Sequence, residues 1–554
     1  MHKIYRSFHL LIFLLFLFAS FSYLFSGGFG PGDGIGDYLY VKNSNLNILE
    51  NLKLRIIELK SYSRPVSIFL NILIYSIFKD NLFFYTFLSL LIWYLSIYLL
   101  YFCLKFFLQN HITKYFLLLG LFPFYSSSIF AEPYLLSSYH ASIFFWSLSL
   151  YFYLKFSINY NIFFKFLSLL FFALSLLTLE IVLPLIILSI LLPYCLRNSV
   201  EQKKSYFVFR NFLIFFLPIF FISFLFLVYK IFLIELLFSS EIYGYKNINF
   251  TSILQGVYYF FAIIVELPIL LLKNIFFINL PKAIILFFLI YLINNYIFSL
   301  NKDMSVFKKI FSQKNINIFY FAVFASLILN SSIFIISFYP SVTYGFYNRM
   351  MICSFVVLIV IISIFLLNKK TILRKVLSFI ILILFVNSAE IQFSNFAKSW
   401  NLRENIVYKI KNELIEIKKD KDIVLFANVP HYFKSNYNNE SIFFTKWNLK
   451  SHLEFHGVRN LKETHLVSFR HLNDRTYNPS HNVMFDLDRF EKIKNFYYFE
   501  FEEGDENGKF LNFKDRNNMI LFFQKKKLED INNHPIILRE KIRLAFKDLV
   551  KKIL

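Results

Sequence analysis

Apolar runs about as long as a bilayer is thick dominate this sequence. A helix needs about 20 predominantly apolar residues to span the hydrocarbon core. Stretches such as LFFYTFLSLLIWYLSIYLLYFCLKFFL (82–108) and the run at 206–229 meet that requirement. In lipid each backbone N–H and C=O must find its partner within the segment, which a helix provides. Of 554 residues, 57% are hydrophobic and 21% aromatic, with only 13 Gly and 13 Pro. The mean hydropathy of +0.55 excludes an ordinary soluble domain. The expected fold is an α-helical polytopic membrane protein.

The net charge of +23 would suggest nucleic acid in a soluble chain. Here many of the cations fall in short loops between apolar runs, where the preference for cytoplasmic Lys and Arg accounts for them. Cys103, Cys195 and Cys353 lie in apolar segments far apart, so neither a disulfide framework nor a thiolate metal site is expected. The first apolar segment, Tyr5 to Tyr23, follows Lys3 and Arg6 and is longer than a signal-peptide core. It reads as a retained anchor with a cytoplasmic N-terminus.

From there the basic turns set the topology. Leu82 to Leu108 runs inward, about 114–131 outward, and a fourth helix returns to the turn between Lys155 and Lys165. The run 161–196 is too long for one span and carries Glu180 and Pro184 near its middle, so it divides into two helices with Glu180 at the outer turn. The segment 206–229 then goes out. The basic stretches 302–314 and 369–375 both belong inside, which makes 281–300 a span and 252–279 a re-entrant or interfacial segment. A last span at about 376–391 brings the count to about 11.

The tail, 392–554, changes character. It reads as a small extracytoplasmic α/β domain, with an amphipathic helix from FAKSW onward and a strand at DIVLFANVP. Further strand candidates are HLVSF, NVMFDLD, FYYFEF and MILFFQ. The chain thus divides into a transmembrane domain, 1–391, and this tail.

No GxxxxGK phosphate loop and no GxSxG elbow is present. His452 and His456 have a zinc-compatible i, i+4 spacing but lack the HExxH glutamate, and surface histidines are the expectation. No metal site is assigned, although a divalent metal near the first outer loop is compatible with the residues there. Glu180 stands inside an apolar run, where a carboxylate is costly and usually faces a cavity or a polar partner. The loop 26–64 reads SGGFGPGDGIGDYLYVKN, then a charged helical run, then YSRP. It places Asp33 and Asp37 in a glycine-rich turn and Arg64 beside Pro65 at the membrane re-entry. Arg349 lies in YGFYNR, at the outer end of the tenth helix. With Glu180, these four residues make one constellation on the outer face. A carboxylate can take a proton from an acceptor hydroxyl, and arginine forks can hold a leaving phosphate.

DYLYVKN followed by YSRPVSIFLNILIYSIF resembles the D-D-Y…N and Y-R-P-L-S segments of membrane glycosyltransferases of the GT-C class, in the branch related to protein O-mannosyltransferases. LTLEIVLPLIIL resembles that branch's K-E-x-x-x-x-P helix, YGFYNRMM its G-R-Y-L-Y segment, and SW…IVLFANVPHYF its W…N-x-P segment. The chain departs from the pattern in three places. Asp33 and Asp37 replace adjacent aspartates, Leu179 stands where a lysine precedes the helix glutamate, and the histidine after Y-R-P is missing, with Trp93 nearby.

The resemblance implies transfer of a sugar from a polyprenyl-phosphate donor to an extracytoplasmic glycan, lipid or protein, at the inner (plasma) membrane of a cell envelope. Asp37 or Asp33 would be the base, and Arg64, Glu180 and Arg349 would hold substrate. The implied partners are the lipid-linked donor and membrane lipids, not nucleic acid. An O-antigen polymerase or ligase uses similar donors but usually carries its large outer loop late in the chain. A transporter would predict inverted repeats, and none is clear.

The topology is directly testable. Reporter fusions at Asn45 and Asn438 are expected to report the same, non-cytoplasmic side. Opposite sides would break both the helix count and the shared outer face.

Overall fold

The computed structural model describes residues 2–26, 28–29, 34–44, 46–55, 64–123, 127–131, 134, 136–200, 209–230, 268–269, 271–272, 280–299, 313–336, 351–367, 371–415, 423–429, 432–433, 440–441, 446–458, 461–466, 496–501, 508–513, 517–519 and 521–522. Asp33, Arg349, nearly all of the 252–279 segment, residues 302–312 and the NVMFDLD strand candidate lie outside these residues.

The chain divides into two compact units, one dominated by the apolar helices and one formed by 402–432 and 442–554. The first contains α1 (His2–Ser26), α2 (Gly34–Ser44), α3 (Ile48–Lys53), α4 (Pro65–Phe78), α5 (Leu82–Leu104), α6 (Asn110–Gly120) and α7 (Leu136–Asn159). Then follow α8 (Ile162–Thr178), α9 (Ile186–Val200), α10 (Phe209–Val228), α11 (Leu280–Ser299), α12 (Gln313–Ile336), α13 (Ile352–Leu367) and the start of α14 (Ile372–Ile415). Seven helices among the described residues are long and apolar enough to cross a membrane, and shorter apolar helices accompany them. The protein is a helical, multi-pass membrane protein. Its buried interior is rich in Leu, Ile and Phe, with many Tyr. Helices such as α10 and α11 leave large apolar side chains exposed, among them Phe220, Phe224, Ile284 and Phe288.

Four local outcomes matter for function. The run 161–196 breaks where expected: Leu179 is extended, and Glu180–Leu185 is a 3-10 turn leading into α9. Pro184 lacks the amide that a continuous helix would bond to the Glu180 carbonyl. The glycine-rich stretch, by contrast, is not a bare turn. Helix α2 starts at Gly34 and carries Asp37 in its first turn. The charged run becomes α3, opened by a capping box in which Asn47 and Glu50 bond reciprocally at 2.9 and 3.1 Å. Finally, α4 is an additional apolar helix. At 14 residues it is ~21 Å long, too short for a ~30 Å core.

The helix that carries the last span continues past 391. Helix α14 is 44 residues long, ~66 Å of uninterrupted helix, because no Gly or Pro interrupts the sequence between 372 and 415. Within the first unit, Lys282 on α11 donates to Glu390 on α14 at 3.0 Å and to Ser22 on α1 at 3.1 Å, tying three helices together. Gly28 packs so closely that an added Cβ would meet the Trp400 ring at 3.2 Å.

The second unit is built on a four-stranded sheet of β1 (Ile423–Asn428), β2 (Leu461–Leu466), β3 (Phe496–Glu500) and β4 (Lys509–Phe513), in spatial order β2-β1-β3-β4. The central strand β1 is parallel to β2 and β3, while β4 closes the edge antiparallel to β3. Both faces of β1 are buried, which explains its unbroken apolar reading as IVLFA. DIVLFANVP and FYYFEF thus form strands. HLVSF overlaps only the end of β2, and MILFFQ begins in helical turns instead. The hairpin strand β4 was not anticipated.

Helix α15 (Lys446–Phe455) carries His452 and ends just before His456, and neither histidine lies freely on the surface. His452 is fully buried, and His456 bonds the Glu404 carboxylate at 2.7 Å. The carboxylate that sequence reading did not find near them comes from α14. His452 faces Arg403, Glu404 and His456, and burial followed by the Arg403 charge lowers it from 6.5 to about 4, against the pull of Glu404. The folded unit therefore binds fewer protons than the unfolded chain below pH 6.5, so acid destabilises it. Stability is expected to be complete above about pH 6.5 and to fall by roughly 3 kcal/mol on acidification through pH 4. Hydrogen exchange in α15 measured from pH 7 to 4.5 checks this, and His452→Gln should flatten the profile.

Candidate functional site

Helix α2 is held in place from both of its faces. The Tyr38 hydroxyl and the Lys42 ammonium both donate to Asp80, in the turn between α4 and α5, the latter at 2.8 Å. Burial acts to raise the Asp80 carboxyl, but the hydrogen bonds from Lys42 and Tyr38 outweigh it and hold the group below its usual range. The fully buried Tyr38 ring packs among Phe29, Tyr75 and Tyr134 at centroid distances of 4.6, 5.4 and 5.6 Å. Such perpendicular and tilted aromatic pairs add to the area they bury. Asp37 immediately precedes Tyr38 in the sequence, so its position follows from this anchorage.

Asp37 does not meet Arg64. It accepts from Arg55 at 2.5 Å, a residue just past α3 whose guanidinium lies 5.1 Å over the Tyr40 ring. The Arg55 side chain is 10% exposed, and its Nε and Nη1 are buried with no hydrogen-bond partner among the described residues. A guanidinium has five N–H donors in a rigid fork, so a buried one with most of its donors unused presents a ready oxygen-binding edge. Tyr134 lies close to both groups, and burial, then the Asp37 charge, raises its phenol well above the ordinary range. It stays a neutral hydroxyl beside the carboxylate.

A second cluster forms at the helix break. Arg64 caps α4, with Pro65 at the first helical position, and donates to Glu180 Oε1 at 3.2 Å. Lys230, at the end of α10 and with a side chain 6% exposed, donates to Glu180 Oε2 at 3.4 Å. Two cations thus share one carboxylate. The resemblance expected a lysine immediately before Glu180, where Leu179 stands. The ammonium beside Glu180 comes instead from a different helix.

Of the expected constellation, then, the structure joins Arg64 to Glu180, gives Asp37 a different partner, and leaves Asp33 and Arg349 outside the described residues. It adds Arg55 and Lys230, which sequence reading missed. Both had a signal. Arg55 is the single arginine between Arg6 and Arg64, and Lys230 interrupts a long apolar run. Among the described residues, no three His, Cys, Asp or Glu side chains are arranged to hold a metal ion.

Glu180→Gln would leave Arg64 and Lys230 facing each other without their counter-ion. Because roughly a third of the Glu180 and Arg64 side chains is exposed, the expected loss of stability is roughly 1–3 kcal/mol rather than the full cost of breaking a buried pair. Lys230→Met in that background should recover part of it. Thermal melts of the purified protein in detergent measure both. No protein-family model matches the chain, and no curated protein is significantly similar to it.

Proposed function

We propose that the protein transfers a sugar from a polyprenyl-phosphate-linked donor to a hydroxyl acceptor, a glycan, lipid or protein, on the extracytoplasmic side of the plasma membrane. The observation that carries this reading is Asp37, a carboxylate on an anchored helix, set against a buried guanidinium with unused N–H donors. In this reading Asp37 is the general base. It removes the acceptor proton as the acceptor oxygen bonds to the anomeric carbon, the bond from that carbon to the phosphate oxygen breaks, and the configuration inverts. The carrier leaves as a phosphate, whose charge Arg64, Lys230 and Arg349 help to balance, with Glu180 holding the first two in position. Such charge-assisted hydrogen bonds, bidentate where arginine makes them, suit a phosphate. Asp33 is assigned to orienting the acceptor or a divalent metal. About eleven crossings, a transmembrane part at 1–391 and an extracytoplasmic tail at 392–554 belong to the same reading.

Asp37→Asn is expected to lower transfer by roughly 100- to 10,000-fold, the usual range for loss of a general base, with expression and insertion unchanged. Asp33→Asn should be milder. The assay follows sugar transfer from a radiolabelled polyprenyl-phosphate donor in membranes with matched protein levels. Full activity in Asp37→Asn with none in Asp33→Asn would reverse the two roles. Full activity in both would remove this loop from the chemistry.

A further inference from the structure

Inside the helical unit, and sharing no residue with either ion-paired cluster, a group of polar side chains is fully enclosed. Ser89 and Trp93 stand one turn apart on the same face of α5. Opposite them are His140 on α7, Tyr23 on α1 and Phe130 in the 3-10 turn Ser127–Phe130. All five are at most 1% exposed. The Phe130 ring touches the other three rings, with centroids 6.3 Å from Trp93, 5.0 Å from His140 and 5.6 Å from Tyr23. Trp93 and His140 meet edge to face at 6.3 Å. Ser89 Oγ and His140 Nε2 are hydrogen-bonded at 3.2 Å.

Three polar atoms in this single contact cluster have no hydrogen-bond partner among the described residues: the Trp93 indole Nε1, His140 Nδ1 and the Tyr23 hydroxyl. The Tyr23 hydroxyl faces Ser89 without completing a hydrogen bond to it. More than nine in ten buried polar groups in proteins are bonded, and buried Trp and Tyr usually find a partner. Three orphans around one ring mark a place for a ligand rather than three separate defects.

Their chemistry narrows what that ligand is. The indole only donates. The imidazole Nδ1 donates or accepts according to the tautomer, its Nε2 being engaged by Ser89, and the phenol does both. No charged side chain belongs to the group, so an anion or a cation would be left without a counter-charge. A carbonyl could accept from the indole but could not donate. A hydroxyl oxygen meets every requirement, with two lone pairs and a proton of its own. We propose that Tyr23, Ser89, Trp93 and His140 form a buried binding site for a hydroxyl oxygen, either a structural water or the hydroxyl of a membrane-borne molecule. This assignment does not depend on glycosyl transfer.

Tyr23→Phe tests it, because it removes one polar atom and keeps the ring. If the hydroxyl serves a bound oxygen, the full-length variant in lipid nanodiscs melts below the parent, since the remaining groups lose a partner. If the site is dry, deleting an orphan hydroxyl leaves the melting temperature unchanged or raises it, and the proposal fails. A high-resolution density map of the parent in the same nanodiscs supplies the second readout. An isolated peak within about 3.2 Å of Trp93 Nε1 identifies water, and density continuous with a larger body identifies a membrane-borne hydroxyl. An empty, closed gap there overturns the site.

Discussion

A carboxylate placed in the middle of an apolar run has to be answered by something, because lipid does not solvate it. In this protein that carboxylate is Glu180, and the way it is answered shapes the helical unit. Pro184 opens the helix at that point, and the two oxygens of Glu180 then reach Arg64 at the head of α4 and Lys230 at the foot of α10. Three segments far apart in sequence are thereby fixed at one place. Breaking such an arrangement costs more than forming it gains, since any single removal strands the other charges. Such an arrangement therefore serves specificity of position more than raw stability.

Around that point the chain solves the same problem repeatedly with neutral groups. Serines return hydrogen bonds to their own helices, as Ser20 does to Phe16 and Ser157 to Tyr153. Tyrosines bridge helices through backbone carbonyls, as Tyr115 does to Ser378 and Tyr153 to Phe215. The abundance of tyrosine in the interior follows from this dual character, a large apolar ring with a polar tip. The cluster around Phe130 is where the pattern leaves three groups unanswered.

Much of this was legible in the sequence, and the failures have physical causes. The break at Glu180 was readable because a proline and a charge coincide in one apolar run. The strands IVLFAN and FYYFE were readable from their unbroken apolar character. The glycine-rich turn was misread because Gly34 and Gly36 argue against a helix. What overrides them is tertiary: the Tyr38 and Lys42 contacts to Asp80, and Asp37 to Arg55. The tail histidines were misread because their carboxylate partner, Glu404, lies 52 residues upstream of His456. The change in polarity after 391 marks no break in structure, since α14 continues through it.

The capping box at Asn47 has a consequence for energetics beyond the helix it starts. Asn47 and Glu50 make α3 self-consistent, and α2 is bolted to the turn after α4, so these two helices are ordered when the protein folds. Their conformational entropy is surrendered then, not when a ligand arrives. A molecule that engages the Arg55 fork thus meets donors already in position and keeps most of the interaction energy as affinity. Removing the cap at Asn47 should accordingly weaken binding at a distance, by restoring disorder to a loop whose contacts with the ligand are unchanged.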